Sequence, residues 1–122
     1  MRYLFAALVA ASLLTASAVA AGEADVLDAE IIKSGADRYR VSVTVRHADE
    51  GWDHYADQWR VLAPDGTVLG TRTLHHPHEN EQPFTRSLGG VEIPPRITEV
   101  TIEARDSVHG RGGKTVTVAV PR

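Results

Sequence analysis

Three of the chain's six histidines, His75, His76 and His78, fall in one short polar stretch, LHHPHENEQPF (74–84). The other three sit in HADEGWDHYAD (His47 and His54) and DSVHGRGG (His109). Ordinary turn chemistry calls for Gly, Pro, Asn, Asp and Ser rather than imidazole. A neutral imidazole nitrogen, with carboxylate oxygens beside it, suits Zn(II), Cu(II) or Ni(II). With no cysteine, and Met1 the only methionine, zinc–thiolate sites, thiol nucleophiles and thioether sites for Cu(I) are excluded. His76 precedes Pro77, which pushes it to an extended conformation, so His76 and His78 point to similar sides of the chain. The expected ligands of a divalent transition metal are His54, His76, His78 and His109, helped by His47 or Asp106, with affinity falling as pH drops through about 6.5 and protons compete for the rings.

These residues can converge only if the chain folds to bring them together. RYRVSVTVRH (38–47) alternates Tyr39, Val41, Val43, Val45 and His47 with polar residues, the signature of a half-buried strand. DVLDAEIIK, with Leu27, Ala29 and Ile31 on one face, precedes it across the turn Ser34–Asp37. YADQWRVL, about Val68 to His75, Phe84 to Val91, TEVTIEARD and KTVTVAV follow, with APDGT a hairpin turn and Pro94-Pro95 excluded from a central ladder. About seven short strands with no helix between them predict an all-β antiparallel sandwich of immunoglobulin-like kind. Its expected core is Val41, Val43, Val45, Trp59, Val61, Val100, Ile102, Val116 and Val118. Consecutive antiparallel strands put alternate loops at opposite ends. All six histidines then collect at one end, with Asp49, Glu50, Asp53, Asp57, Glu79, Glu81 and Asp106.

Strand parity turns Asp57 and Asp106 inward, one step beyond Trp59 and Ala104. A carboxylate at the mouth of a core needs a partner: a metal, a histidine N–H, an arginine such as Arg72 or Arg111, or loop backbone in an Asx-type cap. A second use of the same end is a grip on a periplasmic protein or small ligand by Trp52 with His75 and Asp57. Catalysis is the weakest of the readings, because His54 with Asp57 could orient an imidazole but no serine, threonine or cysteine is visibly paired with them, and HGRGG lacks the strand, lysine and helix of a phosphate loop.

The N-terminus, MRYLFAALVAASLLTASAVA, has a charged start, an apolar run and an A-x-A site. It reads as a secretory signal cut after Ala20, leaving residues 21–122 as one sandwich domain, periplasmic or secreted, with no membrane insertion after cleavage. The formal net charge of −3, with arginine and lysine scattered singly, disfavours nucleic acid and anionic lipid as partners. In GWDHYADQWRVLAPDGTVLGTR, HPHENEQPFTRSL and DSVHGRGGKTVTV the chain resembles small exported bacterial immunoglobulin-like or fibronectin III-like domains of unassigned function. That resemblance implies an exported sandwich and carries over no site residue.

Overall fold

A computed structural model describes residues 22–122, so the expected leader lies outside the described residues. Seven strands follow one another: β1 (Asp25–Gly35), β2 (Arg38–Arg46), β3 (Ala56–Leu62), β4 (Val68–Thr73), β5 (Phe84–Glu92), β6 (Glu99–Asp106) and β7 (Val116–Ala119). They form two antiparallel sheets, β1-β2-β5 and β4-β3-β6-β7. The chain is therefore the all-β sandwich that its alternation predicts.

The inward faces explain the strands. Val41, Val43 and Val45 on β2 face Trp59 and Val61 on β3 and Val100 and Ile102 on β6, all buried, while Val116 and Val118 are packed against this core from β7. Tyr39 and Phe84 complete the two ends of the first sheet's wall. Cross-strand hydroxyl pairs decorate its outer face, Ser42 with Ser87 at 2.7 Å and Thr44 with Thr85 at 2.8 Å.

Register departs from strict alternation at two places that bear on the site. A bulge between Val26 and Asp28 buries Val26, so the Leu27 face expected of β1 does not form: Leu27 is half-buried, with Ala29 and Ile31 packed on the core. A second bulge between Ala56 and Gln58 buries Ala56 and takes Asp57 out of the inward row that parity assigned it. The fourth strand also ends at Thr73, short of His75.

Topology then fixes which loops meet. Residues 47–55 carry the chain from the first sheet to the second, and residues 74–83 carry it back. The pairings Val45–Phe84, Gln58–Thr73 and Ala56–Asp106 place both crossings and the β6–β7 connection at the same end of the sandwich. At the opposite end the β3–β4 hairpin is closed by Ala63 N–H to Thr67 O at 2.8 Å, with Gly66 at φ 90°.

Candidate metal centre

The inward row of β2 does not stop where the strand stops. Tyr39, Val41, Val43 and Val45 are followed by His47 and Asp49, both buried, so the apolar wall turns polar at its rim. The inward row of β6 ends the same way, Val100, Ile102 and Ala104 leading to a fully buried Asp106. A buried carboxylate must be paired, and Asp106 is paired with histidines, from among the partners its position allowed. Its Oδ2 lies 2.6 Å from His54 Nε2 and 3.3 Å from His47 Nε2, and its Oδ1 accepts the His109 backbone N–H at 2.5 Å. That last contact closes a tight turn in which Asp106 and Gly110 exchange backbone hydrogen bonds at 3.1 Å, with Gly110 at φ 74°.

Each of these two imidazoles is held from behind. His47 Nδ1 is 2.6 Å from Asp49 Oδ1, and His54 Nδ1 is 3.3 Å from Glu50 Oε1. Asp49 is itself fixed by the backbone N–H groups of Ala56 (3.0 Å) and His78 (2.7 Å). The carbonyl of Gly22 comes within 2.9 Å of His47 Nε2, so the segment leading into β1 lies across the site. Gln82 ties the 74–83 loop in, accepting the His47 N–H at 3.0 Å and donating to the His78 carbonyl at 2.8 Å.

Electrostatics follow from these contacts. Burial pulls the His47 pKa down, but hydrogen bonds to Asp49 and Gly22 outweigh it and leave the ring more basic than its ordinary 6.5. Burial works against ionisation of Asp49 and Asp106. Donors from His47, His78 and Ala56 to Asp49, and from His54 and His109 to Asp106, hold both carboxyls below the usual range all the same.

The ligating atoms of His47, His54 and Asp106 lie within 4.8 Å of one another, and among the described residues theirs is the group of three or more such side chains that could hold a metal. The His109 ring stands 4.9 Å from that of His54, edge to face. A cleft of about 550 Å³ opens beside His47, lined among others by Arg46 and by the carboxylates of Glu23, Asp25, Asp49 and Glu79, which outnumber the arginine and favour an approaching cation.

The remaining expected site residues lie apart from this group. His76 and His78 pair with each other, ring centroids 4.8 Å apart, with His78 buried against Phe84 and His76 exposed. His75 is exposed. Trp52 is 66% exposed and leans edge-on against Tyr55 at 5.6 Å. Asp57 faces Arg105 at 3.9 Å, and burial raises its pKa although Arg105 and, more weakly, Arg111 act to lower it. Asp49, Glu50, Gln82 and Gly22 were not singled out as site residues from sequence. The signal for Asp49 was present, since the period-2 row continues through 45, 47 and 49.

No family model matches the chain. A protein described as "Putative lipoprotein", from Halomicrobium mukohataei, is 41% identical over 96 residues, which is 79% of this chain and 47% of that protein. The chain thus spans about half the length of the curated relative it matches. Among solved structures, a variant of superoxide reductase (neelaredoxin) from Archaeoglobus fulgidus in the reduced form superposes with a TM-score of 0.50 at 10% identity, over 79% of this chain and 86% of that one. These findings correct the resemblance to immunoglobulin-like domains of unassigned function: the fold match is to a superoxide reductase, and the sequence relative is described as a lipoprotein. At 10% identity the structural match establishes the kind of sandwich and nothing about chemistry. No helix among the described residues is long and apolar enough to cross a membrane.

Proposed function

We propose that the chain binds a divalent transition metal through His47, His54 and Asp106, with His109 at the rim. The supporting observation is the position of Asp106 Oδ2 between two Nε2 atoms whose Nδ1 partners are carboxylates. Metal-ligating histidines characteristically hand their second nitrogen to a carboxylate, which fixes the tautomer and raises basicity. Two imidazoles and one carboxylate suit non-haem Fe(II) as well as Zn(II), Cu(II) or Ni(II), and three protein ligands leave coordination positions open. The described residues fit such an ion: the donors are buried and oriented, and the cleft beside His47 is acidic.

Titration calorimetry of the metal-free chain with Zn(II) and Fe(II) tests this. Binding that His54→Ala and Asp106→Asn each weaken at least tenfold is expected, and affinity no tighter than about millimolar would end the proposal. A superoxide-consumption assay on iron-loaded chain tests whether the activity named for the fold neighbour extends to this protein. Export is proposed on the leader-like N-terminus together with the description of the relative as a lipoprotein.

A second reading rests on Trp52, a large exposed aromatic at the same end. In that reading Trp52, with His75 and Asp57, grips a periplasmic protein or small ligand. Loss of a pulled-down partner with Trp52→Ala, while metal binding stays intact, would favour it.

A further inference from the structure

His78 is an anomaly among the described residues. Only 6% of it is exposed, yet neither ring nitrogen has a hydrogen-bond partner. A neutral imidazole carries one donor and one acceptor, and leaving both buried and unpaired is costly. Phenylalanine or leucine would fill the same space against Phe84 without that cost. The ring is nonetheless held firmly: it stacks on Phe84 at 4.1 Å and 11°, its backbone N–H is fixed by Asp49 and its carbonyl by Gln82. Across from it stands the exposed His76 ring, 4.8 Å away, at the mouth of a groove of about 400 Å³ formed with Glu79, Asn80, Glu81 and Arg86.

We propose that His76 and His78 form a second transition-metal site, separate from the His47–His54–Asp106 group, in which His78 is the buried, fixed ligand and His76 the exposed one. Two neutral imidazoles two residues apart favour Cu(II), which heads the affinity order for nitrogen donors, over Ni(II) and Zn(II). The two nearby carboxylates offset the ion's charge, although Glu81 is already engaged by Arg86 at 3.0 Å. Burial, with Arg86 and His76 adding to it, keeps His78 less basic than usual and so unprotonated at neutral pH. An ion on His78 would satisfy a nitrogen that the fold leaves without a partner.

Calorimetric titration of the full chain with Cu(II) decides the matter. Two equivalents are expected. His76→Ala should weaken one of them at least tenfold and leave the other, and His54→Ala should do the converse. Because His78→Ala opens a cavity beside Phe84, His78→Phe is the companion variant, preserving the stack while removing both nitrogens. Should His78→Phe fail to fold, the exposed His76→Ala decides alone. A second equivalent that survives His76→Ala unchanged, or its absence from the wild-type chain, would overturn the proposal whatever happens at the first site.

Discussion

His54 Nε2 and Asp106 Oδ2 lie 2.6 Å apart although 52 positions separate them in sequence. The same oxygen is 3.3 Å from His47 Nε2, so one carboxylate joins the first sheet's rim to the second's. Removing one member of such a buried pair strands the others. Asp106→Ala should therefore cost about 3 to 5 kcal/mol in urea denaturation of the metal-free protein. Asp106→Asn keeps an acceptor for the His109 N–H and should cost less. Equal midpoints for the two variants would show that the acceptor for the His109 N–H contributes little.

The histidines should show opposite pH dependences. His47 is more basic in the folded chain than its ordinary 6.5, so its contribution is complete below that pH and lost as pH rises through the raised value. His78 is less basic than usual, so its contribution is complete above 6.5 and lost as pH falls through the lowered value. The two windows lie on opposite sides of 6.5. Asp49 and Asp106 add stability that is present above 3.8 and lost as pH falls through their depressed values. NMR titration of the ring resonances in metal-free protein should find His47 titrating above His78, and the reverse order would refute this account.

The proposed metal binding at His47 Nε2 must displace the proton that the Gly22 carbonyl and Asp106 help to hold there. Affinity should therefore rise with pH through the raised His47 pKa. Calorimetry in two buffers of different ionisation enthalpy should report proton release on binding. Heats that do not depend on the buffer would place the ion elsewhere.

The two tryptophans predict opposite outcomes. Trp59 is fully buried between the sheets, so Trp59→Ala should cost about 3 to 5 kcal/mol. Trp52 is mostly exposed, so Trp52→Ala should change stability by no more than about 0.5 kcal/mol. Thermal and chemical melts of both variants check the contrast.

Gly113 should be intolerant of any side chain. A Cβ there would overlap the carbonyl of Ala24, whose backbone cannot move aside as a flexible side chain would. Gly113→Ala should lower the melting temperature and push the 22–26 segment outward, drawing the Gly22 carbonyl off His47. A shifted His47 ring resonance alongside an intact core would register that movement.

Much of the fold was legible because β-branched alternation is long and regular in β2 and β6. The same parity carried His47 and Asp106 to the inner rim. What it could not show was a local break in period: the bulge at Ala56 turned Asp57 toward Arg105, and the one after Asp25–Val26 moved the buried position from Leu27 to Val26. Periodicity assigns faces and not pairings, so it brought the histidines to one end without revealing that His76 and His78 face each other rather than Asp106. Asp49 lies beyond β2, which ends at Arg46, and residue types alone do not show that the inward alternation runs on through His47 and Asp49 into the loop. The Gly22 contact left no trace at all, since a carbonyl's reach is invisible in residue types.

The groups gathered around His47 and Asp106 come from the approach to β1, the crossing between the sheets and the turn after β6. None of these segments is near another in the extended chain, and bringing ends together over so many residues carries an entropic cost that the assembled sandwich alone repays. The complete set of groups is therefore assembled only in the folded sandwich, and an ion bound there as proposed would meet all three ligands only after both sheets have closed. Selection of that ion would then belong to the compartment where folding happens rather than where synthesis happens. For a chain threaded through a membrane before it folds, the metal content of the purified protein would record the ions available on the far side.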